Sequence, residues 1–240
     1  MPPEENVMTP TPTAPTPTPD AGRRKARSVT VRNVSWGAYE KLVEAFAETR
    51  SVRLTYDREV LEIMVPSLNH NFSDRSLLAF VVFLAKGFGT GYHPGGQTTM
   101  KRKKLLKGAE ADEIFWIANA PAMAGVTDLD LTVHPPPDLA IEVDVTRSSA
   151  RRMRVLAAIG IPEVWRQRGD GLTFLGLVGK RYVEIERSRS FPLLSAADLL
   201  AFLCRAWAGG NHLALYDEVQ AWARERARTA PAAGGEPAAG

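Results

Sequence analysis

The sequence predicts an α/β chain, a mixed sheet of the α+β kind covered by helices, and three stretches predict it. Residues 135–165, PPPDLAIEVDVTRSSARRMRVLAAIGIPEVW, read as strand, helix and strand, a crossover that pairs two strands in parallel beneath a helix. Residues 52–65 read as two alternating strands around Asp57-Arg58-Glu59, a hairpin. Residues 67–86 are apolar on nearly all sides after Phe72, which marks a buried helix.

At 240 residues with 45% apolar content, the chain can bury a full core, most simply as one domain with tails. The divisions fall at 1–28 for a Pro/Thr-rich leader, 29–208 for the core domain, 209–229 for a C-terminal helix and 230–240 for an Ala/Gly/Pro tail. Both ends are expected to be disordered, the leader because seven of the 17 prolines interleave there with threonine and leave nothing to pack. The net charge of +3 and pI near 9.1 permit a nucleic-acid partner without requiring one. A lone cysteine, Cys204, excludes an internal disulfide, fits a reducing cytosol and reads as a small apolar residue inside the helix 199–207. No apolar run approaches a bilayer span and no secretory pattern opens the chain, so a cytoplasmic protein without membrane contact is expected.

Taken in order, Arg23, Arg24, Lys25 and Arg27 form a basic boundary, and the fold is expected to start near Val29. Ser35 is placed to cap a helix carrying Trp36, Tyr39, Leu42, Val43 and Phe46 at helical spacing. After the hairpin and the buried helix, GFGTGYHPGG breaks the chain; it lacks the GKS or GKT of a phosphate loop and opens no helix. Lys101, Arg102, Lys103, Lys104 and Lys107 follow as the densest basic cluster, suited equally to a nucleic-acid backbone and to a solubilising hairpin tip. AEADEIFWIA, 109–118, places Glu110 and Asp112 where an apolar strand begins. Beyond Trp165, Gly169-Asp170-Gly171 and Gly179-Lys180 mark turns between strands, and Ser195 with Asp198 makes a capping box. A helix from His212 to about Arg228 carries Leu215, Val219 and Trp222 on one side, toward the domain or a partner.

The chemistry concentrates on the acidic strand. Read at period two, Asp138, Ala140, Glu142 and Asp144 share one face, opposite Leu139, Ile141 and Val143. Spacing alone leaves two readings open, a solvated acidic edge or a cation site. The crossover favours the second, because a helix over the sheet would bury those carboxylates unless something positive met them. Residues two apart, roughly 6.6 Å along a strand, can converge on a hard ion such as Mg²⁺, and Asp112 with Glu142 from neighbouring strands makes a minimal pair completed by water and phosphate.

The segments LEIMVPSLNH, GAEADEIFWI, PPPDLAIEVDVTRSS and GIPEVWR, in this order over about residues 30–205, resemble the Uma-two family of restriction endonucleases, within the PD-(D/E)XK nuclease superfamily. The resemblance implies a restriction-endonuclease-like core, ordered helix, three strands, helix, strand, and Mg²⁺- or Mn²⁺-dependent hydrolysis of DNA phosphodiesters. Its acidic positions fall on Asp112 and Glu142 as metal ligands, and Glu62 and His70 match further polar positions. Asp138, Glu110 and Lys101 complete the candidates. Where the pattern has lysine two residues after Glu142, this chain has Asp144; family relatives carry a lysine on the following helix, a place that Arg152 takes here. Arginine brings the charge but cannot act as a base at neutral pH. A silent nuclease fold that binds nucleic acid or protein is the alternative reading. Many nucleases of this fold cut as dimers, which would make the C-terminal helix a homodimer surface.

Arg152 lies four residues before Leu156 and seven before Ile159, on the inward stripe of its helix. An arginine there needs an anionic partner, and the strand's carboxylates are nearest.

Overall fold

The computed structural model describes residues 27–47, 52–144 and 149–230. The leader with Arg23, Arg24 and Lys25, the tail beyond 230 and Ser148, which with Ser149 offers a cap for the helix after the acidic strand, lie outside the described residues, as does the side chain of Ser149.

The first described strand, β1 (Arg27–Val31), precedes α1 (Trp36–Ala45), which Ser35 caps by accepting the Ala38 amide. Strands β2 (Arg53–Asp57) and β3 (Val60–Val65) form the expected hairpin, and Ser67 caps α2 (Leu68–Phe88) through the His70 amide. That helix stops at Gly89, whose φ of 70° suits glycine, with its N–H returning to the Ala85 carbonyl. Then come β4 (His93–Gly96), β5 (Met100–Arg102), a 3₁₀ turn at Lys103–Leu105, β6 (Lys107–Ala109) and β7 (Glu113–Trp116). The crossover follows as β8 (Leu139–Asp144), α3 (Ser149–Ile159) and β9 (Glu163–Arg168), with β8 and β9 parallel. Strands β10 (Gly171–Val178) and β11 (Arg181–Ile185) turn back antiparallel, and α4 (Ala196–Ala208) begins on the complete Ser195/Asp198 capping box. The last helix is α5 (His212–Thr229).

The fold is α+β, but its strands divide between two sheets. The first has the order β1-β3-β2-β6-β5, and the second β11-β10-β9-β8-β7-β4. The stretch 109–118 is not one strand: the chain leaves the first sheet at Ala109 and enters the second at Glu113. Along the second sheet the elements run α2, β4, β7, β8, α3, β9, with β5 and β6 departing to the first.

Helix α3 lies between the sheets. Val155, Leu156 and Ile159 pack with Ala140, Val164 and Ile161 of the second sheet and its connections, while the helix also meets β2, β5 and β6. Each such aliphatic side chain contributes roughly 1.5–3 kcal/mol by leaving water. The opposite face of β8, Leu139, Ile141 and Val143, packs with Phe80 and Leu84 of α2, Leu203 of α4 and Val219 of α5. The apolar side of α5 is therefore covered by its own domain. Helix α1 closes the far face of the first sheet with Tyr39 on Leu54, Tyr56 and Leu61. Cys204 corrects its expectation: it is exposed on α4, because its side of that helix faces away from the sheet that Leu199 and Leu203 cover.

Gly108 permits α1 to lie this close. A Cβ at Gly108 would stand 2.2 Å from Tyr39 Oη, and Tyr39 cannot yield, being fully buried and stacked on Tyr56 at 4.7 Å. Gly108→Ala should cost about 1–3 kcal/mol by overpacking. Tyr39→Phe removes the colliding oxygen, which makes no hydrogen bond in its buried place, so the double variant should recover part of that loss in urea unfolding.

Candidate functional site

The inward side of α3 carries one charge. Arg152 is 5% exposed, and its Nη1 donates to Glu142 Oε2 at 2.7 Å. Glu142 is on the β8 face that also carries Ala140, the face packed on α3. Period two in the strand and the helical spacing of Arg152, Leu156 and Ile159 thus bring the two together, as the sequence predicts.

Asp112 stands in the crossing between the sheets. The β7–β8 register pairs Glu113 with Ile141, so one step beyond the last pair Asp112 falls across from Glu142. Its Oδ2 accepts the Val143 amide at 2.8 Å and lies 3.0 Å from His70 Nε2, in the first turn of α2. Its Oδ1 has Arg152 Nη1 at 3.8 Å and Arg53 Nε at 3.9 Å. Glu62, buried on β3, has Arg151 Nη1 at 3.6 Å. Asp112, Glu142, Arg152, His70 and Glu62 therefore gather around the start of α3, from both sheets and α2.

Four candidates lie elsewhere. Asp144 is gripped by Arg166 of β9, with Nε at 2.7 Å from Oδ2 and Nη2 on the same oxygen, which makes it an ion-pair partner. Asp138 precedes β8 and accepts the amides of Ile117 at 2.7 Å and Asn119 at 2.9 Å, which ties down the loop after β7. Glu110 accepts the Leu54 amide at 3.2 Å and the Thr99 hydroxyl at 2.7 Å, strapping β2 to the chain before β5. Lys101 is exposed on β5, outside the cluster. Period two assigns a side chain to a face, but not the hydrogen bonds that take it.

Two buried residues escaped the sequence reading. Arg53 resembled any polar residue alternating in a strand, although it shares the face of Thr55 and Asp57 that turns toward α3. Asp74, 1% exposed, follows His70 by four residues, a spacing that puts both on one side of α2 and was there to be read.

The electrostatics divide the two central acids. Burial works against the Asp112 anion, but His70, Arg152 and the Val143 amide outweigh it and hold this carboxyl below the ordinary range. Burial pushes Glu142 well up, with Asp112 and Asp144 adding to the rise and Arg152 opposing it. Arg152 itself is disfavoured by burial, yet Glu142, Asp112, Glu62 and Asp144 raise its pKa further, so it stays charged.

Among the described residues no group of three or more His, Cys, Asp or Glu side chains is placed to hold a metal ion. The pair alone does suit a hard cation: Asp112 Oδ1 and Glu142 Oε1 are buried carboxylate oxygens without a hydrogen bond. One or two carboxylates, with water and phosphate for the rest, are what Mg²⁺ ordinarily asks of a protein. Arg152 now stands beside both.

Compared with known proteins, the chain matches no family model and no curated relative. The resemblance to the Uma-two nucleases rests on the quoted segments alone.

Asp74 gives the cluster a measurable signature. Burial, reinforced by Asp112 and Glu113 against Arg75 and Arg53, pushes its carboxyl up to about 8, while an unfolded Asp titrates near about 3.9. Between those values the folded chain binds the extra proton, so stability falls as pH rises, by up to about 1.4 kcal/mol per pH unit. Asp74→Asn should flatten that fall and stabilise the metal-free chain at the alkaline end. Urea unfolding in EDTA across about pH 5 to 8 reads the slope; an identical slope in the variant would remove Asp74 as its source.

Proposed function

We propose that the chain is a cytoplasmic Mg²⁺- or Mn²⁺-dependent endonuclease of the PD-(D/E)XK kind that hydrolyses DNA phosphodiester bonds. The observation that carries this reading is the Asp112–Glu142 pair: two buried carboxylates, one just before β7 and one on the neighbouring β8, each with an oxygen that makes no hydrogen bond, beside a buried arginine. The run of helix, three strands, helix and strand along the second sheet supports it, as do the quoted motifs.

Asp112 and Glu142 would hold the ion, which when bound lowers the pKa of a water and offsets charge on the phosphate. The chain's residues supply the surroundings. His70 and the Val143 amide fix Asp112 Oδ2, leaving Oδ1 without a hydrogen bond, 3.8 Å from Arg152 Nη1. Arg152 is the cation nearest the pair; transferred from Glu142 to the substrate's phosphate, its guanidinium would stabilise the charge that builds as the phosphorus–oxygen bond breaks. It takes no proton from water, because its own pKa is raised. On this reading Arg152 would supply the electrostatic half of the missing lysine's work.

One observation favours a second reading. Arg152 and Arg166 already neutralise Glu142 and Asp144, as expected of a silent nuclease fold that binds DNA or a protein without cutting. The two readings part on metal. Under the first, purified protein nicks supercoiled plasmid with Mn²⁺, Glu142→Gln abolishes nicking and Arg152→Lys retains it. Arg152→Ala should stop nicking and cost roughly 3–5 kcal/mol by orphaning Glu142, and Mn²⁺ should return part of that stability by binding the folded state. A melting temperature indifferent to Mn²⁺ in both wild type and Arg152→Ala leaves the silent binder.

A further inference from the structure

Beyond the carboxylate pair, the first sheet gathers cations at one end. Asp57 closes β2 and takes Lys107 Nζ on Oδ1, with Arg58 Nε 3.3 Å from the same oxygen. Arg154, one turn of α3 beyond Arg151, brings its Nε within 3.9 Å of Asp57 Oδ2. The Arg58 amide donates to the Leu106 carbonyl at 3.0 Å, which locks the β2–β3 turn to the β5–β6 tip. On that tip Lys101, Lys103 and Lys104 are exposed. Arg102 Nη2 donates to the Ile159 carbonyl at 3.1 Å, so the hairpin is held to the C-terminal end of α3. Among the described residues Asp57 is the acid that pairs with these cations, through Lys107, Arg58 and Arg154.

These cations lie in line with the acidic centre. Arg151 and Arg154 continue from the start of α3 toward the tip, and Arg151 to Ile159 is about 12 Å at 1.5 Å per residue. A nucleic-acid strand advances about 3.4 Å per nucleotide, so the track corresponds to roughly four nucleotides.

We propose that the β5–β6 tip, the β2–β3 turn and the outer side of α3 form a track for the phosphate backbone of duplex DNA, leading away from Asp112 and Glu142. This deepens the proposed function and rests on it for the substrate; the track itself is independent of metal and cleavage. Cations strung along a helix suit a linear polyanion. Leu105 and Leu106, 44% and 41% exposed beside the lysines, make an anionic membrane the competing occupant, but two side chains at one tip offer little apolar area to insert, and the exposed Arg154 lies on α3, away from that tip.

The test is anisotropy of a labelled duplex of about 20 base pairs in EDTA over a salt series. The triple variant Lys101→Ala/Lys103→Ala/Lys104→Ala, all surface changes, should bind at least tenfold more weakly, and its log–log salt slope should fall by about 2 to 3. Lys41→Ala/Lys180→Ala, exposed lysines elsewhere, should bind like wild type. A triple variant with unchanged affinity and slope overturns the track, as does wild type that ignores the duplex but sediments with phosphatidylserine vesicles. Plasmid nicking keeps the two readings apart. A lysine-dependent duplex affinity in a protein that never cuts leaves the track and removes the nuclease; Glu142-dependent cutting with lysine-independent affinity does the reverse.

Discussion

A charged helix enclosed by two sheets is the constraint on which the rest depends. Helix α3 cannot turn its arginines to water on every side, so each of its neighbours must answer them. Glu142 of β8 meets Arg152, Glu62 of β3 meets Arg151 and Asp57 of β2 meets Arg154. The aliphatic residues between these positions hold the helix to the second sheet. Removing Arg152 or Glu142 would leave the other buried and uncompensated, whereas Arg154 is exposed enough that its pairing with Asp57 contributes little.

The acids exceed what these cations can offset. Glu142 is pushed up despite its arginine, and Asp74 and Glu113 are raised by burial nearby. Burial of these carboxylates disfavours their charged forms, which is the larger cost that the neighbouring arginines offset only in part.

Much of this was legible in the sequence because it depended on local signals. Ser35, Ser67 and the Ser195/Asp198 box announce three helices by their capping chemistry, and the 135–165 stretch announces a parallel crossover by its change of period from two to three and a half. Arg152 opposite Glu142 follows from the same two periods. What could not be read depended on partners distant in the chain. Asp138 and Glu110 looked like spare carboxylates until backbone amides twenty or more residues away claimed them. The partner of Asp144 was hidden because Arg166 reaches it only through the parallel pairing of β8 with β9. The division of 109–118 between two sheets leaves no periodic trace, since β6 and β7 are only three and four residues long.

That division has a mechanical consequence. Asp112 belongs to the connector between the sheets, while Glu142 is fixed within the second. Their separation is therefore a gauge of how the sheets sit on α3, and a small shear of one against the other alters it directly. Interiors packed to crystal-like density transmit such displacements instead of absorbing them. A load on the far rim of the first sheet would be felt at the carboxylates through the three residues Glu110, Ala111 and Asp112 that join β6 to β7, which tie the first sheet covalently to the acidic interior.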